Sequence, residues 1–197
     1  FQRRIWERMQ PGDGPARLRE VIAALEREDG RFHMEGGSWT ANHLSTIELE
    51  KAAGVKLTYI PFTGSGSATP ALLGGHVTGL MTYTTMAAQQ LDKFRILAVA
   101  APKRSAVFPD APTFRELGYD IVEGAYRGVS VPPNTPDNIV KILADAFEKV
   151  NKNPEFAKKM AELAFDLEFM GPAEYTKFIQ TRKAYYTDLL KDMDIKQ

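Results

Sequence analysis

The sequence predicts an α/β fold built on a mostly parallel sheet with flanking helices. Three observations carry this. Through residue 131, short apolar, β-branched runs alternate with helical periodicities, the pattern of strands joined by helical crossovers. Between them lie loops rich in Gly, Ser and Thr, at residues 36–42, 62–67 and 82–85. From Pro61 to Leu91 there is no Asp, Glu, Lys or Arg, although 25% of the chain is charged.

In chain order, Pro11-Gly12-Asp13-Gly14-Pro15 is a turn-rich break. Leu18, Val21, Ile22 and Leu25 then recur at helical spacing, and Asp29-Gly30 stops that helix. Arg31 to Glu35 reads as a short strand. A helix follows from about Asn42 to Ala53, with Leu44, Ile47 and Leu49 apolar and Gly54 as its stop. Lys56 to Ile60 is the next strand, Ala68 to Leu73 a short apolar helix, then a strand into Tyr83-Thr84-Thr85 and a helix start at Met86. Phe94 to Ala101 is nearly continuous in apolar residues and predicts a buried strand. Residues 102–112 hold three prolines and read as a surface loop. Thr113 to Leu117 predicts a short helix, with Thr113 and Glu116 in capping-box spacing. Tyr119 to Val122, Gly128 to Val131 and Phe165 to Phe169 predict short strands. Pro132 to Pro136 is a stiff break, and helices are predicted over Pro136 to Asn151, Pro154 to Ala164 and Pro172 to Lys191, each with Pro in its first turn. The domain reading is an N-terminal segment, 1–35, a ligand-binding α/β lobe, 36–131, and a helical tail, 132–197.

The 197 residues suffice for one large domain or two small ones. Zero formal net charge argues against a nucleic-acid footprint. The absence of Cys removes disulfides, thiol nucleophiles and thiolate metal sites, and fits an oxidising compartment. No apolar run approaches the roughly 18 residues of a membrane span. The opening at Phe1, without a signal peptide, reads as a mature or truncated chain.

The loops invite several chemistries. Gly64-Ser65-Gly66 lacks the third Gly of a dinucleotide fingerprint, which would fall at Thr69, and no Gly-Lys-Ser/Thr follows to make a P-loop. Gly36-Gly37-Ser38-Trp39-Thr40 nearly forms a nucleophile elbow, but Thr40 stands where the closing Gly belongs. His33, His43 and His76 have no orienting acid beside them, and no metal-ligand spacing occurs. Strands that deliver hydroxyls and backbone N–H groups to helix N-termini instead make a neutral cradle suited to an anion. Trp39 and Tyr126 read either as ligand-stacking walls or as packing. Arg127 either pairs with Glu123 or reaches into a cleft.

The chain resembles the substrate-binding proteins of tripartite tricarboxylate transporters. The resemblance runs from about residue 16 to the end. It is carried by Gly36-Gly37-Ser38 with Asn42-His43-Leu44, by Tyr59 to Gly66, by Leu72-Leu73-Gly74-Gly75-His76-Val77, and by Phe94 to Val99 with Lys103-Arg104. Pro109-Asp110-Ala111-Pro112-Thr113, Glu116-Leu117-Gly118 and Tyr126-Arg127-Gly128 complete it. It implies a periplasmic-binding-protein type II-like fold of two lobes with the N-terminal lobe incomplete, because the family's first Gly-rich ligand loop has no counterpart here. It also implies a periplasmic receptor that captures a small organic carboxylate, di- or tricarboxylate-like, for membrane permease subunits. No catalysis, cofactor, metal or nucleic acid is implied. Trp39 and Thr63 depart from the residues usual at those positions.

On this reading Gly37, Ser38, Thr40 and Asn42 would hold one set of carboxylate oxygens. Thr63, Gly64, Ser65 and Gly66 would hold another. Tyr83, Thr84 and Thr85 would close the pocket edge, and Arg127 would join the ligand-binding set. Helices after Pro136 would lack part of the surface they cover, so the chain is expected to associate with itself. Two alternatives stand beside this reading: an esterase-like hydrolase using Ser38 or Ser65, and an effector-sensing domain of a transcription regulator.

Overall fold

Strand β1 (Phe32–Met34) is the middle of a three-stranded parallel sheet, with β2 (Ile60–Pro61) on one side and β3 (Gly79–Met81) on the other. Met34 stands opposite Pro61 and opposite Met81, so all three strands end on one line and the chain leaves each at the same edge. A helix follows every strand: α1 (Ala41–Ala53), α2 (Ser65–Leu73) and α3 (Thr84–Ala88). Parallel neighbours need such crossovers, because a tight turn only joins antiparallel strands. The computed structural model describes residues 22, 32–34, 40–62, 65–93 and 95–191. The predicted helix around residues 18–25 lies outside them except for Ile22, which is helical and buried.

Strand β2 is shorter than the predicted Lys56 to Ile60. The N–H of Leu57 donates to Glu50 Oε1 at 2.6 Å, so α1 takes the donor that a longer strand would have used. Pro61 has no N–H and sits on an edge strand, where that omission is tolerated. Helix α2 begins at Ser65, ahead of the predicted Ala68, and α3 at Thr84, ahead of Met86.

Helix α1 is buried from Leu44 through Leu49 without interruption. Six consecutive helical positions point in every direction around the axis, so this element is enclosed rather than laid on a surface. Its small polar residues turn inward on their own backbone: Ser45 Oγ donates to Ala41 O at 2.8 Å and Thr46 Oγ1 to Asn42 O at 3.3 Å. Leu49 joins Ile22, Leu57, Phe114, Leu117, Tyr119 and Ile121 in the main core cluster. Ala87, Val99, Phe108 and Ala111 form a second cluster.

Residues 95–101 do not form the predicted strand. Val99 makes one isolated parallel bridge, with Thr113. Its N–H donates to Pro112 O at 2.9 Å and its carbonyl accepts the Phe114 N–H at 3.1 Å. Pro112 offers no donor, so the ladder cannot extend past it. Ala100 turns to a different partner, accepting the Glu123 N–H at 3.0 Å. Instead of the helix predicted over Thr113 to Leu117, residues 114–118 are a run of turns, although the capping box forms. Gly118, in the left-handed region at φ 89°, ends it almost at once: Gly118 N–H returns to Arg115 O and Tyr119 N–H to Phe114 O.

The predicted strands at 119–122, 128–131 and 165–169 are absent too. Each has β-type residues, but a strand exists only where a neighbour pairs with it.

Two compact units divide the chain, 1–126 and 127–197. The second unit holds α4 (Asp137–Asn151), α5 (Pro154–Glu162) and α6 (Pro172–Leu189). Pro154 and Pro172 open their helices as predicted, whereas Pro136 stands one residue outside, as the N-cap of α4. Asn153 caps α5 by accepting the N–H groups of Glu155 and Phe156 at 2.9 and 3.0 Å. No residue of α4 is buried, and its apolar stripe is open, with Ile142 62% and Phe147 45% exposed.

Candidate functional site

The described parts of the three stretches singled out in the sequence, residues 40–42, 65–67 and 82–85, each follow one of the three parallel strands and open the next helix. Open α/β sheets bind ligands at the carboxyl edge, because strands there hand over to helix N-termini. The loop after β1 leads into α1, the loop after β2 into α2, and the short turn after β3 into α3.

Of the residues expected to bind, Gly37, Ser38, Thr63 and Gly64 lie outside the described residues. Thr40 is the N-cap of α1, in an extended conformation (φ −80°, ψ 168°). Its hydroxyl makes no capping bond; Oγ1 is buried and has no hydrogen-bond partner among the described residues. Asn42 is buried in the first turn of α1. Ser65 and Gly66 open α2, and Gly66 is exposed. Tyr83 is the N-cap of α3, its carbonyl accepting the N–H groups of Met86 and Ala87 at 3.0 and 3.1 Å. Thr84 and Thr85 are half-buried in the turn that follows. Arg127 belongs to the second unit, where its guanidinium lies 5.5 Å from the centre of the Phe165 ring. There Tyr175 packs so closely over Gly128 that a Cβ at Gly128 would overlap its ring.

The charge pattern separates the two units. Helices α4, α5 and α6 each place an acid in the first turn: Asp137, Glu155 and Glu174. Such acids offset the positive end of the helix dipole. Helices α1, α2 and α3 have none. Three positive helix ends at one sheet edge are thus left without a carboxylate of their own.

Two residues outside the expected set pair beside the first turn of α1. His43, in the first turn of α1, stacks on Tyr59, the residue before β2, with ring centres 4.4 Å apart and planes at 15°. Burial holds the His43 imidazole below its ordinary pKa, so it is the neutral ring that packs here. The sequence placed His43 on the first helical turn, but the pairing joins residues sixteen apart and has no local signal. Among the described residues no group of His, Asp and Glu could hold a metal ion, and no helix is long and apolar enough to cross a membrane.

The parallel sheet with a helix after each strand belongs to a periplasmic-binding-protein-like α/β fold. The chain belongs to the tripartite tricarboxylate transporter family receptors (TctC), whose sequence profile matches residues 8–195. A UPF0065 protein from the gbd 5' region of Cupriavidus necator is 34% identical over 171 residues, covering 85% of this chain and 52% of that protein. Among solved structures, Rpa4515 of R. palustris with adipate has a TM-score of 0.76 at 24% identity, covering 93% of this chain and 62% of that one. MatC from Rhodopseudomonas palustris, with bound malate, has a TM-score of 0.72 at 24% identity, covering 91% and 63%. At that identity the two structures speak for the fold. The chain spans about half the length of the curated relative.

Proposed function

We propose that this chain is the ligand-binding part of a periplasmic receptor that captures a small di- or tricarboxylate for a tripartite tricarboxylate transporter and hands it to the membrane permease subunits. The observation that carries this is the sheet edge itself: three helix N-termini without acids, lined by neutral hydroxyl and amide groups. Thr40 and Asn42 at α1, Ser65 and Gly66 at α2, and Tyr83 to Thr85 at α3 are the binding residues on this reading, with Gly37, Ser38, Thr63 and Gly64 in the adjoining loops. Arg127 stays in the proposed binding set on the family resemblance alone. The adipate and malate named for the two structural neighbours support the carboxylate class. Neutral donors suit a receptor that must also release its anion, since bonds to a charged acceptor already contribute about 1.5–3 kcal/mol each. The receptor performs no chemistry on what it binds.

The test is a titration of the isotope-labelled chain with adipate, malate and citrate, followed residue by residue by NMR. Amides at 40–43, 65–67 and 83–85 are expected to shift together, with millimolar affinity for this 197-residue chain, and adipamide, the uncharged analogue of adipate, is expected to leave them unmoved. Equal shifts with the diamide, or shifts confined to the second unit, would refute the proposal.

A further inference from the structure

Among the described residues, two buried hydroxyl oxygens have no hydrogen-bond partner: Thr40 Oγ1 and the Tyr59 phenol oxygen. Buried tyrosine hydroxyls normally find one, because the phenol otherwise forfeits the bonds it made to water. The two are not scattered. Thr40 caps α1, and His43, which carries the Tyr59 ring, lies three residues further on the same helix face. Tyr59 also stands immediately before β2, the strand that feeds the loop into α2. Its ring therefore ties the start of α1 to the strand beside it, and the nearly parallel stack with His43 fixes the ring plane and, with it, the line of the phenol.

We infer that Tyr59 is a ligand-contacting residue of this site: its hydroxyl and that of Thr40 are held donors for the carboxylate oxygens of the bound solute. A carboxylate suits both, since it only accepts hydrogen bonds and brings more lone pairs than the helix end alone can satisfy. His43 is then a positioning residue, acting through the stack. This rests on the reading that the sheet edge takes a carboxylate, and it adds a donor that reaches the site from the strand rather than from the loops.

Tyr59→Phe keeps the ring and its stack and removes only the oxygen. Two measurements on the 197-residue chain decide the case: thermal unfolding without ligand, and the affinity for adipate and malate. The expected result is a ligand-free melting temperature equal to or above wild type, because an unpartnered hydroxyl is no loss, together with dicarboxylate affinity weakened about tenfold or more, the usual effect of deleting a hydrogen bond to a charged group. A melting temperature lowered by several degrees would show that the hydroxyl serves the fold, and would overturn the inference. So would unchanged affinity in a wild-type chain that binds. Failure of the wild type to bind either dicarboxylate would overturn the carboxylate reading itself, and this inference with it.

Discussion

Thr113 and Glu116 cap each other. The Thr113 N–H donates to Glu116 Oε2 at 2.7 Å, and the Glu116 N–H donates to Thr113 Oγ1 at 3.1 Å. The same carboxylate accepts from Arg104 Nε at 2.9 Å, and Arg104 Nη1 reaches Pro109 O at 3.1 Å. One exposed acid thereby gathers both ends of the proline-rich loop. Arg104 first, then the Thr113 backbone, holds the Glu116 carboxyl down at about 2. A carboxyl depressed on folding adds stability that is present above its unfolded pKa and lost as pH falls toward the folded value. Glu116→Gln should therefore unfold at a lower temperature than wild type at pH 6, with the difference shrinking between about pH 4.5 and pH 2. Melting curves across that window check it; a constant difference would assign the effect to something other than this charge.

His43 shifts the acid balance in the same direction by another route. Its folded pKa is lowered by burial, so the unfolded chain takes up the proton first. Stability contributed by the neutral ring is complete above about pH 6.5 and declines below it, down to the folded value. His43→Phe keeps an aromatic face for Tyr59 and removes the proton. The variant is expected to show a flatter dependence of unfolding free energy on pH between 7 and 5, read by urea titration at several pH values.

Helix α1 ends at Gly54, whose φ of 68° lies in the left-handed region and whose N–H returns to Glu50 O. A Cβ there would meet no atom within 4 Å. Gly54→Ala should thus register the backbone term alone, a loss of about 1–2 kcal/mol. Urea denaturation should show a lower midpoint with an unchanged slope.

The open stripe on α4 predicts association. Ile139, Ile142, Leu143, Phe147 and Val150 are all exposed, and apolar patches of that kind mark association surfaces. Light scattering on the chain should give a mass that rises with concentration, and Ile142→Asp with Phe147→Asp should return it to a monomer while leaving α1 and the sheet folded. A wild-type chain that stays monomeric at every concentration would refute this.

What the sequence made legible was local chemistry. Gly54 marked the end of α1, Thr113 and Glu116 marked their reciprocal cap, Pro154 and Pro172 marked helix starts, and the strand-then-helix alternation marked three parallel strands each followed by a helix. What it hid depends on partners distant in the chain. The apolar run up to Ala101 looked like a strand, but a strand is a relation between segments, and Pro112 withholds the donor that would continue it. The hydroxyls of Thr40 and Tyr59, without a partner among the described residues, and the stack that holds one of them, lie beyond any local pattern for the same reason.

The enclosure of α1 has a consequence for how slowly the molecule breathes. A helix covered on every side cannot expose its amides by fraying sideways, so their exchange with deuterium requires the surrounding unit to open as a whole. The amides of Leu44 to Leu49 should be the last to exchange, while those of α4, with no buried side chain to anchor them, exchange early. The turn bearing Thr40, Asn42 and His43 is thus mounted on the slowest-exchanging element of the chain, and any selectivity it has is set before a solute arrives.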